Sequence, residues 1–170
     1  MKTIAIIPSG GKGLRMGFNI PKEYVKVQGK EIIASTLKVF QISSKIDEIA
    51  VSAQEDYFEL LNEIKSKYSI TKLKYIVKGG ETRQDSVYNA LNKIEAGDND
   101  LVAVHDAARP LLPISLLDSA IDFAWENNSV VVALQAKDTV IQGNNIVKDY
   151  LKRDEIYLAQ TPQIFTYSIL

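Results

Sequence analysis

The stretch IIPSGGKGLRMGFNIPKEY, residues 6 to 24, carries a short apolar strand directly into a glycine-rich loop. The apolar run from Thr3 to Ile7 reads as a buried first strand, and Pro8 closes it. A glycine-rich loop after a first strand is typical of a phosphate-binding site, because a backbone without side chains can approach a phosphate closely. The loop also carries Arg15 and Lys22. We therefore expect an anion site built from backbone NH groups and two cations.

The alternation of strands and helices continues along the chain. Apolar runs that read as further strands cover residues 48 to 53, 72 to 77, 100 to 106 and 129 to 134. Amphipathic helical patterns cover residues 31 to 40, 56 to 68, 83 to 94 and 114 to 125. This order predicts an α/β fold in which a mostly parallel central sheet is covered by helices on both faces. Such sheets bind ligands at the carboxyl ends of their strands, so the loops at 8 to 22, 78 to 86 and 105 to 110 should meet.

The composition excludes several classes of protein. The chain has 170 residues, which suits one domain with a substantial core. Its formal net charge of -1 creates no global field that would attract nucleic acid or an anionic membrane, so neither is expected as a partner. The lack of cysteine and the single histidine exclude disulfides, a cysteine nucleophile and multi-histidine zinc sites. No apolar run suits a signal peptide or a membrane span, so we expect a cytoplasmic protein.

Two common phosphate-binding loops do not match the opening stretch. A Walker A loop needs Ser or Thr after its Gly-Lys pair, but Gly13 follows Gly11 and Lys12. A dinucleotide-binding fingerprint needs a third glycine where Met16 stands, and no acidic residue closes the second strand. These mismatches disfavour a nicotinamide-dependent oxidoreductase, which is the alternative from another class of enzyme.

The remaining interpretation is a loop that wraps a triphosphate while Arg15 and Lys22 supply positive charge. Attack on the α-phosphorus of a nucleotide concentrates negative charge on its oxygens, and cations aimed at those oxygens are the main catalytic device. Pro21 stiffens the chain just before Lys22, which lowers the entropic cost of positioning that cation. The alternative is that both cations are solvated loop charges.

The second loop, KGGETRQDSV at residues 78 to 87, places two glycines before the start of a helix. Free NH groups at a helix N-terminus, together with Ser86, favour recognition of an anion or a base. The alternative is a plain turn in which Asp85 or Ser86 caps the helix.

The third loop, VHDAARP at residues 104 to 110, follows a buried strand. Asp106 is a candidate Mg²⁺ ligand, since Mg²⁺ prefers oxygen donors that it shares with phosphates. Arg109 could pair with Asp106 or hold a second anionic substrate. We interpret His105 as a structural residue rather than a catalyst.

After residue 136 the alternation of strands and helices stops. Two short β-like runs, at residues 139 to 142 and 146 to 151, flank the sequence GNN and predict a β-hairpin. A lone two-stranded hairpin is marginally stable in water. We therefore expect the segment from 137 to 156 to pack on a partner, such as a second subunit.

Five motifs, taken together and in this order, resemble those of the 2-C-methyl-D-erythritol 4-phosphate cytidylyltransferase family. They are SGGKGLRMG with PKEY, GGETRQDSV, VHDAARP, the pair Asp138-Thr139, and AQTPQIF. The resemblance runs from residue 4 to residue 165. It implies a Rossmann-like three-layer sandwich with a protruding β-hairpin arm, and an enzyme of the non-mevalonate isoprenoid pathway that uses CTP and Mg²⁺.

The resemblance also implies roles for single residues. Those that would bind CTP are Ser9, Gly10, Gly11, Gly13, Gly80, Glu81 and Ser86. Those that would contact the methylerythritol phosphate are Asp106, Arg109, Thr139, Arg153 and Thr161, and Asp106 would also lie by the metal. Arg15 and Lys22 would stabilise the charge on the α-phosphate. The arm would cross to the other subunit of a homodimer, so that its Thr139 and Arg153 serve the partner's site.

The sequence departs from the family pattern at several positions. Ser9 and Gly10 stand where two alanines are usual, and Glu81 replaces a common aspartate. Ribitol 5-phosphate cytidylyltransferases share the GGKG turn more closely, but Ala107 and Ala108 favour the methylerythritol enzyme. Family members continue past TPQIF with further elements, so we expect a single domain, 1 to 170, that lacks its C-terminal part. A catalytically inactive nucleotide-binding fragment is therefore a further alternative.

Overall fold

The computed structural model describes residues 1–11 and 20–170 of the chain. Its strands are β1 (Thr3–Ser9), β2 (Lys26–Val27), β3 (Lys30–Glu31), β4 (Glu48–Ala53), β5 (Leu73–Lys78), β6 (Leu101–Val104), β7 (Ser129–Gln135), β8 (Ile141–Gly143), β9 (Val147–Tyr150) and β10 (Tyr157–Thr166). Its α-helices are α1 (Ile32–Ile42), α2 (Phe58–Lys67), α3 (Arg83–Leu91) and α4 (Ile114–Asn127). The helices and strands predicted from the apolar pattern are confirmed, with ends that differ by at most three residues.

A six-stranded sheet in the order β5-β4-β1-β6-β10-β7 forms the centre of the fold. β1 pairs in parallel with β4 and with β6, and β4 pairs in parallel with β5. β10 runs antiparallel to both of its neighbours, β6 and β7. The expectation of a mostly parallel sheet is therefore confirmed, and β10 is the one antiparallel strand in it.

Both faces of the sheet are buried, which makes the fold a three-layer sandwich. Ala5 and Ile7 of β1 face a core that includes side chains of α1, α2 and α4. Ile4 and Ile6 face the opposite core, which α3 covers through Ala90. Successive side chains of a strand point to opposite faces, so a central strand must be apolar at nearly every position. This requirement explains the unbroken apolar run at the start of the chain.

The predicted hairpin is present as β8 and β9, which pair antiparallel in a separate two-stranded sheet. All residues from 141 to 150 are exposed. The sequence did not reveal β10 as a sheet strand, because its first three residues are exposed and its centre, QTPQ, is polar. The helices of the described residues are all too short, or too polar, to cross a membrane.

Candidate functional site

The three loops that the sequence predicts to lie together do meet at one edge of the sheet. A Cβ atom added to Gly10, after β1, would lie 2.9 Å from Ser86 Oγ and 3.5 Å from Gly79 Cα, after β5. The carbonyl oxygen of Gly10 accepts a hydrogen bond of 3.2 Å from Gln54 Nε2. The second loop reaches the third through the side chains of Arg83 and Asp106. The predictions for Gly13 and Arg15 fall on residues 12–19, outside the described residues.

A buried polar cluster anchors the turn that carries Lys22. Ser9 Oγ lies 2.8 Å from the Tyr24 hydroxyl and 3.3 Å from Glu23 Oε1, and all three residues are buried. Because Ser9 has one hydroxyl hydrogen, both contacts are satisfied together when Tyr24 donates to Ser9 and Ser9 donates to Glu23. The Tyr24 ring stacks on Tyr57 with ring centroids 4.1 Å apart. Lys22 itself is exposed, so a buried, hydrogen-bonded turn carries this cation at the sheet edge.

Burial controls the ionisation of this cluster. Loss of hydration raises the pKa of the Glu23 carboxyl, and hydrogen bonds, including one from Ser9, oppose that rise. Burial likewise raises the pKa of the Tyr24 hydroxyl, which keeps it a proton donor at neutral pH. The Ser9 hydroxyl is committed to these internal contacts, so any contact of Ser9 with a ligand has to use its backbone.

The second loop contains a helix cap, which is one of the two interpretations that the sequence left open; recognition of an anion or a base stays a prediction. Thr82 is the N-cap of α3 and forms a capping box with Asp85, so the helix cap is present. Ser86 does not cap the helix; its buried hydroxyl accepts from the Gly80 N–H at 3.0 Å and donates to the Thr82 carbonyl at 2.9 Å. A Cβ atom on Gly80 would lie 2.1 Å from Asp85 Cβ, so only glycine fits there. Glu81 is exposed at the tip of this loop.

Asp106 lies between two arginine side chains in the third loop. Arg83 Nε donates to Asp106 Oδ1 at 3.1 Å, and Arg109 Nε donates to Asp106 Oδ2 at 2.9 Å. Arg109 also bonds the side chain of Gln160, on β10. The expected pairing of Arg109 with Asp106 is therefore present, and Arg83 is a partner that sequence reasoning missed. This group of two cations and one carboxylate carries a net positive charge and is partly open to solvent.

His105 holds the third loop from inside. Its Nε2 lies 3.0 Å from the Arg109 carbonyl oxygen, which can only accept, so the proton is on Nε2. Its Nδ1 therefore accepts from Thr161 Oγ1 at 3.0 Å, and Thr161 in turn accepts from the Asp106 N–H at 3.4 Å. Burial is the main cause that lowers the pKa of His105. These contacts support the interpretation of His105 as a structural residue, and they engage the hydroxyl of Thr161.

Thr139 and Arg153, predicted from the resemblance to act together, line one hollow of the arm. It has a volume of about 390 Å³, and the other lining residues are Leu151, Lys152, Asp154 and Glu155. Arg153 Nη1 also donates to the Lys137 carbonyl at 3.3 Å. The lining carries two cations and two carboxylates, and Arg153 Nε lies 4.0 Å from Asp154 Oδ1. Together with the Thr139 hydroxyl, these groups make the hollow polar.

Two supporting contacts could not be read from the sequence alone. Thr36 of α1 donates to the Ala107 carbonyl at 2.7 Å and ties the third loop to the helix below it. Arg83 reaches across to Asp106, 23 positions along the chain. The capping pattern at Thr82 and Asp85, by contrast, is visible in the sequence as Thr followed by Asp three positions later.

Comparison with known proteins identifies the family. The sequence model described as 2-C-methyl-D-erythritol 4-phosphate cytidylyltransferase matches residues 3–170. The chain belongs to this family of nucleotidyltransferases. A cytidylyltransferase of this name from Geotalea uraniireducens (strain Rf4) is 38% identical over 173 residues, which cover 100% of this chain and 74% of the relative. One from Clostridioides difficile (strain 630) is 39% identical and covers 97% of this chain and 70% of the relative.

Solved structures of the cytidylyltransferase family share the fold. The 4-diphosphocytidyl-2C-methyl-D-erythritol synthase of Anaerococcus prevotii matches with a TM-score of 0.84 and 30% identity, over 99% of this chain and 71% of that one. The 2-C-methyl-D-erythritol 4-phosphate cytidylyltransferase of Francisella tularensis matches with a TM-score of 0.79 and 36% identity, over 99% of this chain and 74% of that one. The expected fold class and family are therefore confirmed.

The buried, neutral His105 makes stability depend on pH. The native state holds His105 with a lowered pKa, whereas the unfolded chain binds its proton near pH 6.5. Below that pH the unfolded state binds more protons than the native state. The contribution of neutral His105 to the free energy of unfolding is therefore complete above pH 6.5, and it falls by up to about 1.4 kcal/mol per pH unit below it. We expect urea unfolding midpoints to show this loss between pH 7.5 and 5.5.

The His105→Gln variant is the matched control for this loss. Glutamine can donate to the Arg109 carbonyl and accept from Thr161, but it does not titrate. Since His105 is the single histidine of the chain, the variant should lose less stability on acidification than the unaltered protein. An equal loss in both proteins would contradict the account.

Proposed function

We propose that the protein transfers the cytidylyl group of CTP to 2-C-methyl-D-erythritol 4-phosphate, which releases pyrophosphate. The observation that carries the proposal is the meeting of three polar loops at one sheet edge, in a chain that matches this family's sequence model over residues 3–170. Relatives that match the chain are named for the methylerythritol substrate, which disfavours ribitol 5-phosphate. We further propose that the reaction takes place in the cytoplasm.

The reaction requires positioning and charge stabilisation rather than a covalent intermediate. A phosphate oxygen of the acceptor attacks the α-phosphorus of CTP in line, and Lys22 and Arg15 stabilise the charge that develops there. The buried support of the Lys22 turn favours this role, because a cation on a rigid support needs little reorganisation when the charge appears.

The nucleotide would be held by the first two loops. Its proposed contacts are Ser9, Gly10, Gly11, Gly13, Gly80, Glu81 and Ser86. Gly10 and Gly80 lie where an added Cβ would clash with Ser86 Oγ and with Asp85, so glycine lets the two loops pack closely together into one surface. Ser86 supports this surface from below by bonding the Gly80 N–H.

We propose that Mg²⁺ enters with CTP and takes Asp106 as its protein ligand. The described residues contain no cluster of three or more metal-binding side chains, as suits a metal that phosphates hold in the main. Each carboxylate oxygen of Asp106 accepts one arginine hydrogen bond and keeps a second lone pair for a cation. When bound, the metal would neutralise phosphate charge.

The acceptor would be held by Asp106, Arg109 and Thr161 of one subunit and by Thr139 and Arg153 of another. The proposed homodimer forms through the arm, residues 137 to 156. In support, the arm carries exposed apolar side chains, with Ile146 76% and Tyr150 68% exposed. A two-stranded hairpin with such exposed apolar side chains becomes more stable when a partner subunit buries them.

A pyrophosphate-release assay tests the proposed reaction. With CTP and Mg²⁺ present, we expect release with 2-C-methyl-D-erythritol 4-phosphate and little release with ribitol 5-phosphate. The second acceptor is the matched control, because it offers the same phosphate on a different sugar alcohol. Pyrophosphate release with ribitol 5-phosphate alone would refute the substrate assignment. CTP binding without pyrophosphate release would favour a catalytically inactive nucleotide-binding fragment.

Replacement of the proposed catalytic lysine should separate turnover from binding. In Lys22→Ala we expect kcat to fall by about a hundredfold or more, since one preorganised donor is worth that much in related electrostatic sites. CTP binding, measured by calorimetry, should change far less. Lys26→Ala is the control, because Lys26 is an exposed lysine that pairs with Glu31 at 3.4 Å. Equal turnover in the two variants would refute the role of Lys22.

The state of association tests the arm. We expect sedimentation of the unaltered protein at micromolar concentration to show a dimer, and Tyr150→Asp to shift it to monomer, because a buried unpaired carboxylate is costly. Phe123→Asp, at a 53% exposed apolar position on α4, is the control and should leave the dimer intact. A monomer in all three samples would rule out the proposed dimer.

A further inference from the structure

Arg83 is a charged residue of the site whose role the proposed reaction leaves open. It occupies the first position of α3, and its Nε donates to Asp106 Oδ1 at 3.1 Å. The other oxygen, Oδ2, accepts from Arg109 Nε at 2.9 Å. The carboxylate of Asp106 is therefore held from two sides, by Arg83 of the second loop and by Arg109 of its own third loop.

The helix gives no reason for a cation at this position. The N-terminus of a helix carries partial positive charge, so an arginine in the first turn is electrostatically unfavourable. The capping box of Thr82 and Asp85 already satisfies the backbone there, and Asp85 Oδ2 is used by the Thr82 N–H and hydroxyl. A residue that opposes a local preference without a gain to the fold points to function.

Stability does not explain the contact either. The side chains of Arg83 and Asp106 are 46% and 32% exposed. Ion pairs this open to solvent contribute little to the stability of the folded state. Removal of Arg83 should therefore change the melting temperature little, whereas it frees one side of a carboxylate in the site.

The contact has a definite geometric effect on Asp106. The N–H of Asp106 donates to Thr161 Oγ1 at 3.4 Å, which anchors its backbone, whereas the side chain can rotate unless its own oxygens are bonded. Arg109 alone would bond one oxygen, and the carboxylate could still turn about that contact. A donor on the second oxygen from a different element fixes the carboxylate plane, and Arg83 supplies it.

We propose that Arg83 is a positioning residue that orients Asp106 and thereby couples the second loop, proposed to hold the nucleotide, to the third loop, proposed to hold the acceptor. The proposal rests on the proposed function, in which Asp106 lies by the acceptor. Arg83 acts through Asp106 and Arg109, and it is needed when both substrates are in place rather than for CTP alone.

Steady-state kinetics and calorimetry on Arg83→Gln test the role. A small misplacement of a reacting group can cost up to about a hundredfold in rate, so we expect kcat to fall by about tenfold or more. The KM of the methylerythritol phosphate should rise several-fold, while the calorimetric Kd of CTP changes by less than about twofold, because a uniform binding loss would affect both. Arg83→Lys should recover part of kcat, since lysine restores the charge without the planar donor.

Two controls separate positioning from charge and from folding. Lys93→Gln removes the same charge just beyond the other end of α3 and should behave like the unaltered protein. In an Asp106→Asn background, removal of Arg83 should cost less than it does alone, because coupled residues are not additive.

Each outcome decides one point. Unchanged kcat and acceptor KM in Arg83→Gln overturn the positioning role, and so does a lowered melting temperature with equal losses for both substrates. Full additivity with Asp106→Asn overturns it as well. Failure of the unaltered protein to release pyrophosphate overturns the proposed function first, and this role with it.

Discussion

The parallel pairing of β1 with β4 on one side and with β6 on the other is the constraint on which the site depends. Ser9 is in register with Ala53 in the pairing of β1 with β4, and Ile6 is in register with Val104 in the pairing of β1 with β6. Because parallel strands share a direction, the loops that follow them leave the sheet at the same edge. Both faces of these strands are buried, so the polar chemistry is confined to the loops.

Buried polar contacts then anchor the described residues of the three loops. Ser9 with its partners on the Lys22 turn, Ser86 beneath Gly80, and His105 with Thr161 all have hydrogen-bond partners inside the protein. Satisfied polar groups in a low-dielectric interior make a region rigid. The exposed charges of the site therefore stand on supports that do not need to reorganise, which is what electrostatic stabilisation of a developing charge requires.

The antiparallel strand β10 links the site to the arm. Its start pairs with the exposed end of β7, next to the arm, and its second half pairs with β6. Between them, Gln160 and Thr161 bond the side chain of Arg109 and the ring of His105. One strand therefore contacts both the third loop and the end of β7 from which the arm leaves the sheet. This connection suits a site that two subunits are proposed to complete.

The sequence by itself determined the helices, the parallel strands and the edge at which the loops lie, because the period of apolar residues records burial locally. It also predicted that Lys22 and Asp106 lie at that edge, since the loops that carry them follow strands of the sheet. Only the tertiary structure decided the place of β10 and the contacts of Arg83 with Asp106 and of His105 with Thr161. These contacts join residues 23 and 56 positions apart, and β10 has no continuous apolar pattern. Contacts between such distant residues are decided by the packing of the whole chain, which no local pattern contains.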